Sequence, residues 1–192
     1  MIGFRCHLAT QDAMLQIKHQ IIDYPTRSTR AILGLDLKKA FDNAAHERIL
    51  SRISSNMAER AYNYVRNFLT NRKARLSLGG LTSDLQELGC RGTPQGSVIS
   101  PMLFNLIMIG LPKELNKIPG LYHSIYADDI TIWVSDGSDG YIEQRLQEAI
   151  GTVERYLEGT GLACSPEKSE LLLYRPAIRG RPRKSEENKT AI

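Results

Sequence analysis

Cysteine is scarce: the 192 residues hold three, Cys6, Cys90 and Cys164, far apart and without a CxxC pair. That argues against a disulfide scaffold and against a cysteine-based zinc site, and it suits a reduced, intracellular protein. Nothing in the sequence separates nucleus from cytoplasm. The histidines His7, His19, His46 and His123 show no metal-ligand spacing and read as structural or surface residues. No stretch approaches the roughly 20 consecutive apolar residues that a membrane-spanning helix needs. Residues 1–20 lack a basic start followed by an unbroken apolar core, so neither a membrane contact nor a secretory leader is expected. Internal repeats are absent, and no low-complexity stretch precedes the tail. What remains, 24% charged and 42% apolar, is an ordinary globular composition of about one domain.

Charge is placed unevenly. Residues 175–192 carry six basic and two acidic side chains, so the whole net charge of +4 resides in the tail and the body is neutral. Within that body, residues 48–91 hold eight basic groups against three acids, a local +5. A basic band on a neutral body permits contact with a polyanion without requiring it.

Apolar spacing predicts a helix over 8–22, broken at Pro25. The run 31–35, ending at Asp36, suits a buried strand. A helix is expected next, with Asp42 as its N-cap and Ile49, Leu50 and Ile53 inward, then another over 58–69. Residues 73–78 alternate polar and apolar ahead of Gly79-Gly80, which predicts a hairpin with 82–88. A loop over 89–96 leads to Ser100-Pro101, a capped helix start, and that helix is expected to run to Pro112. Strands are expected over 121–126 and 130–134, an amphipathic helix over 140–158 stopped near Gly159 and Gly161, and a strand over 170–174. The order β-α-β-β-α-β is the ferredoxin-like split motif, an α+β antiparallel sheet with helices on one face. Many functions share it, so function must come from the site.

Three acids fall at strand ends: Asp36, and the pair Asp128-Asp129 in a hairpin bend. Taken singly, Asp-Asp is ordinary turn chemistry and Asp36 a strand-end residue. Taken together, the split motif brings all three to one sheet edge. Three carboxylates repel one another unless a cation lies among them. Oxygen ligands without His or Cys suit Mg²⁺ or Mn²⁺, and a pair of such ions serves phosphoryl transfer.

The surroundings sharpen this. Leu35-Asp36-Leu-Lys-Lys-Ala-Phe41-Asp42, with His46 following, resembles motif A of reverse transcriptases. Residues 92–105, which include Pro94-Gln95-Gly96-Ser97 and Ser100-Pro101, resemble motif B, and Tyr126-Ala127-Asp128-Asp129 resembles motif C. Gly161-Leu162 with Lys168-Ser169 resembles motif D, and Gly3-Phe4-Arg5 resembles the late fingers. The forms are most similar to those of non-LTR, LINE-type retrotransposon enzymes. No RPISL-like segment precedes them, and no endonuclease or RNase H pattern is present. The chain is therefore expected to be palm and partial fingers over residues 1–175, with a basic, disordered tail over 176–192, within a larger polyprotein.

That resemblance implies an RNA-directed DNA polymerase with a polymerase palm fold, two Mg²⁺ (or Mn²⁺) ions, a dNTP, an RNA template and a DNA primer. It implies Asp36 and Asp128 as metal ligands, with the Leu37 carbonyl and Asp129 in support. Lys168 becomes the proton donor to pyrophosphate. Lys39, Ala40 and Phe41 approach the nucleotide, where Phe41 would collide with a 2′-OH, and Gln95 and Gly96 complete that pocket. Tyr126 lies under the primer end, and Arg72, Lys73 and Arg75 hold nucleic-acid backbone. Arg179-Gly-Arg-Pro-Arg-Lys184 resembles an AT-hook for A·T-rich DNA; its plainer reading is a basic linker. The alternative function is a catalytically inactive nucleic-acid-binding palm remnant.

Overall fold

The structure, a computed structural model, describes residues 10–23, 26 and 28–175. Cys6, His7, Pro25, the segment Gly3-Phe4-Arg5 and the tail 176–192 with its AT-hook reading lie outside the described residues. The chain forms two compact units. The first comprises the described residues up to Lys38, Met108–Glu158 and those from Ala163 on; the second comprises Lys39–Ile107 and Gly159–Leu162.

The first unit is built on a four-stranded antiparallel sheet, in a mixed α/β arrangement. Strand β1 (Arg30–Leu35) is central because its unbroken apolar run tolerates neighbours on both sides: it pairs with β7 (Asp129–Val134) and with β8 (Glu170–Tyr174). Strand β6 (Tyr122–Tyr126) pairs with β7, and the sheet order is β6-β7-β1-β8. Leu33 sits opposite Ile132 and Leu35 opposite Ile130, all four buried. Helix α7 (Asp139–Leu157) packs on β7 and β1. It starts where the Ser138 hydroxyl accepts the Tyr141 N–H at 3.3 Å. Its buried residues, Ile142, Leu146, Ala149, Val153 and Leu157, recur every three or four positions, which is one face of a helix. Helix α6 (Leu111–Leu115) packs against α7 and β6. Helix α1 (Thr10–Ile17) runs on into a π-helical turn, Lys18–Ile22, so the helix expected over 8–22 changes its winding at Lys18. Gln20 in that turn accepts the Trp133 indole N–H at 2.7 Å.

The second unit holds α2 (Ala40–Asn43), α3 (His46–Asn56), α4 (Glu59–Leu69), four two-residue strands and most of α5 (Ser100–Met108). The strands pair as β2 (Lys73–Ala74) with β5 (Gln86–Glu87), and β3 (Ser77–Leu78) with β4 (Leu81–Thr82), so the expected hairpin is present as an interrupted ribbon. Ile49, Ile53, Val65, Leu69, Leu103 and Phe104 are buried in this unit.

Three local expectations are corrected. Asp42 is no N-cap: it lies inside α2, whose N-cap is Lys39 in the left-handed region, and α3 starts separately after Ala45. Ser100 is the first residue of α5 rather than the residue before it, and its hydroxyl donates to the Pro94 carbonyl at 2.7 Å. That helix ends at Met108, and Pro112 instead occupies the first turn of α6, where a missing N–H is harmless.

Candidate active site

In the first unit β1 pairs as far as Leu35, and Asp36 follows directly. The Asp36 carbonyl accepts the Ser165 N–H at 2.8 Å, and Lys38 N–H donates to the Ala163 carbonyl at 2.9 Å. These two bonds flank the bridge between Leu37 and Cys164, so Leu37's own N–H and carbonyl point away from that segment. The short 3₁₀ turn Pro166–Lys168 is tied to the same strand end. Lys38 pairs with Glu167 at 3.3 Å, and the Lys168 ammonium stands 3.5 Å from Asp36 Oδ2.

The other acids arise from the β6–β7 turn. Tyr126 pairs with Asp129, which leaves Ala127-Asp128 as a two-residue connection. Ala127 adopts φ 53°, a left-handed conformation that costs a residue with a Cβ about 1–2 kcal/mol. The pairing of Leu35 with Ile130 sets Asp36 and Asp129 as the next positions outward on neighbouring strands.

The electrostatics record this convergence. The Asp129 carboxyl is pushed above the usual carboxylate range, first by burial and then by the charges of Asp128 and Asp36. Asp36 has 23% of its side chain exposed, and its buried Oδ2 has no hydrogen-bond donor. The edge is therefore rich in oxygen, with the exposed Lys168 ammonium beside Asp36, and its oxygen donors fit a hard divalent cation. The expected meeting of all three acids in one cluster is not observed. Among the described residues, no three His, Cys, Asp or Glu side chains stand together as a metal-holding group.

The second unit carries the other expected residues. Lys39 is exposed at φ 43°, Ala40 is buried, and half-buried Phe41 packs on Phe104 with ring centroids 4.9 Å apart. Gln95 and Gly96 are exposed on the loop before α5. Gly96 adopts φ 85°, yet a side-chain carbon built on it meets no atom within 4 Å. The glycine that a close approach requires is Gly92, whose Cβ would lie 2.8 Å from the Asp42 carbonyl oxygen. Arg72, Lys73 and Arg75 lie at the root of the ribbon, with Lys73 paired to Glu87 at 3.2 Å. Arg72 and Lys73 also line a cavity of about 860 Å³ together with Leu50, Tyr62, Leu69 and Leu88.

Two residues acquire roles that the sequence reading did not give them. His46 is buried, and its Nε2 lies 2.7 Å from the Gly92 carbonyl. Asp42 accepts the Gln95 side-chain amide at 2.9 Å. The only sequence signal was that both lie within the motif-A pattern; their partners are distant along the chain.

A family model described as "Reverse transcriptase (RNA-dependent DNA polymerase)" matches residues 2–189. The chain is 28% identical over 182 residues to the putative 115 kDa protein in type-1 retrotransposable element R1DM of Drosophila melanogaster, covering 94% of this chain and 17% of that protein. It is 25% identical over 190 residues to the RNA-directed DNA polymerase from mobile element jockey of Drosophila funebris, covering 94% and 20%. The retrovirus-related Pol polyprotein from type-1 retrotransposable element R2 of Nasonia vitripennis is 28% identical over 163 residues, covering 81% and 15%. The chain thus spans about a fifth or less of the length of these relatives. Among solved structures, apo telomerase from Candida tropicalis, truncated from its C-terminal domain, superposes with a TM-score of 0.66 at 12% identity, covering 88% of this chain and 35% of that one. That likeness speaks for the fold.

Proposed function

Because the chain belongs to the reverse transcriptase (RNA-dependent DNA polymerase) family, we propose that it supplies the polymerase core of a non-LTR retrotransposon polyprotein. In this reading it transfers dNMP from a dNTP to a DNA primer 3′-OH, directed by an RNA template. Residues 1–175 act as palm with partial fingers, and the sheet order β6-β7-β1-β8 supports a ferredoxin-like palm. The tail 176–192 is a basic linker or a contact to A·T-rich DNA. The single observation that carries the reading is the placement of Asp36 and the Asp128-Asp129 turn at the same edge of the sheet, with the raised Asp129 carboxyl beside it.

Asp36, Asp128 and the Leu37 carbonyl would hold Mg²⁺ or Mn²⁺, with Asp129 beside them. Bound divalent ions supply the charge that activates the primer oxygen and steadies the leaving pyrophosphate. The chain's own residues do the rest by positioning. Phe41, braced by Phe104, presents a fixed wall to the sugar and disfavours a 2′-OH. Lys39, Ala40, Gln95 and Gly96 form the rest of the nucleotide pocket. Lys168, held near Asp36, donates a proton to pyrophosphate. Tyr126 supports the primer end, and Arg72, Lys73 and Arg75 hold phosphate backbone. In the cell the site of action is intracellular.

A second reading, an inactive nucleic-acid-binding remnant, is favoured by the absence of a three-ligand cluster among the described residues. Primer extension by the polyprotein that contains this chain separates the two. The polymerase reading requires Mg²⁺-dependent dNTP incorporation on primed RNA, abolished by Asp128→Ala, with Phe41→Ala admitting rNTPs. An RNA-templated RNA polymerase would use rNTPs before the substitution. Tight template-primer binding with no incorporation at all would leave the remnant.

A further inference from the structure

The loop that carries Gln95 is laced to the segment 41–46. Thr93 N–H donates to the Phe41 carbonyl at 2.7 Å, and Gly92 N–H to the Ala44 carbonyl at 2.8 Å. His46 grips the same loop twice, its N–H on the Cys90 carbonyl at 3.2 Å and its Nε2 on the Gly92 carbonyl at 2.7 Å. Asp42 is fixed in turn, with its N–H on the Lys39 carbonyl at 2.9 Å and its own carbonyl against Gly92. Within this frame Gln95 Nε2 lies 2.9 Å from Asp42 Oδ1, across 53 residues of sequence.

The chemistry of the partner decides the orientation of the amide. A carboxylate only accepts hydrogen bonds, while a glutamine amide offers a donor end and an acceptor end of nearly equal shape. Beside Asp42 the NH₂ must therefore face inward, and Oε1 faces the other way. A glutamine without such a neighbour would present either end.

We infer that Asp42 is a positioning residue that fixes the Gln95 amide with its carbonyl oxygen outward, so that Gln95 recognises a hydroxyl donor on the incoming nucleotide. This rests on the reading of Gln95 as nucleotide-binding. Asp42 touches no substrate itself and acts through Gln95. Because both side chains are exposed, water competes for the bond and the effect is moderate in size.

Two measurements test it. The first is steady-state dNTP incorporation by the polyprotein. Asp42→Ala raises the dNTP KM about tenfold with kcat within about twofold, the size of one charge-assisted hydrogen bond partly screened by water. Asp42→Asn raises it about threefold, since its amide can accept from Gln95 but can also turn round. Gln95→Ala and the double variant Asp42→Ala/Gln95→Ala have the same KM, because the second change removes nothing further. Unchanged thermal midpoints separate these effects from unfolding. The second measurement follows the Gln95 side-chain amide protons by NMR in the 192-residue chain. They are distinct in the native chain, shift toward free glutamine in Asp42→Ala, and stay close to native in Asp42→Asn. A KM unmoved by Asp42→Ala, additive effects in the double variant, or a Gln95 signal indifferent to Asp42 overturns the inference. If the native protein polymerises but shows any of these, this inference alone fails. If it never incorporates a dNTP, the polymerase reading fails and the substrate role of Gln95 goes with it.

Discussion

Asp129 shows at the level of one residue what assembling this sheet edge involves. Its carboxyl is driven up first by burial and then by Asp128 and Asp36. A carboxyl whose folded pKa exceeds its unfolded value binds protons more readily in the native state. Its contribution to stability is greatest at low pH and is lost as pH rises through the raised folded value. Asp129→Asn mimics the protonated side chain and removes the cost of the buried charge, so the variant should have a higher thermal midpoint than the native chain at neutral pH. The gap should close as pH falls through the carboxylate range. Melting curves at several pH values check this, and a constant offset between the two proteins would contradict it. The placement of these acids at one sheet edge was legible in the sequence, because strand ends and a doublet of acids in a hairpin are local signals; the sequence did not show that they fail to close into one cluster. The work of Asp42 was not. Its position suggested a helix cap, and nothing near it announces a partner 53 residues away.

At the scale of elements, the least legible feature is the break between α2 and α3. No glycine or proline marks Phe41-Asp-Asn-Ala-Ala-His46, and the spacing of Ile49 and Ile53 extends naturally into one helix. The break is imposed from outside. Ala45 N–H donates to the Thr160 carbonyl at 2.8 Å, and Ala45 bridges Arg91 on its other side. Gly161 makes the first contact feasible: it adopts φ 82°, and a Cβ there would lie 2.2 Å from the Asn43 carbonyl oxygen. Backbone on both sides leaves no flexible group to yield. Gly161→Ala should therefore cost about 3 kcal/mol, combining left-handed strain with overpacking. Gly89→Ala, where a Cβ meets no atom within 4 Å, should change stability by less than about 0.5 kcal/mol. Denaturant titration of both variants reads the contrast, and equal losses would refute the packing account. By comparison α7 was plain from sequence, since its buried face follows helical spacing and glycines stand at its end. The ribbon was legible only in part: alternation predicted the hairpin, but not that Leu76, Leu78 and Leu81 are 74%, 78% and 79% exposed. Periodicity tells which residues share a face and leaves open what covers it.

Across the whole molecule, the sheet order follows from pairing two distant segments onto β1, and that pairing concentrates negative charge at one edge. Acids elsewhere on the first unit behave in the opposite sense. Hydrogen bonds from Ser28 and Thr26 hold the Asp136 carboxyl below the usual range. Thr29 and Arg175 do the same for Asp139, with the Arg175 guanidinium 2.7 Å away. Their stabilisation is present above the ordinary carboxylate range and is lost as pH falls through the depressed folded values. Asp129 is thus shifted in the opposite direction to Asp136 and Asp139, and a divalent cation at the edge should discriminate between them. An ion that binds only the folded edge stabilises by mass action, about 2.7 kcal/mol at a concentration one hundred times its Kd. Mg²⁺ should accordingly raise the thermal midpoint of the chain, with or without nucleic acid present. Because the ion competes with protons at Asp129, the rise should grow as pH rises through that raised carboxyl value. Asp36→Asn and Asp128→Asn should abolish the Mg²⁺ response, whereas Asp139→Asn should lower the midpoint at neutral pH and leave that response intact. Calorimetry across Mg²⁺ concentration and pH tests both halves. A midpoint indifferent to Mg²⁺ in the native chain would mean that the edge, although rich in carboxylate oxygen, does not collect an ion by itself.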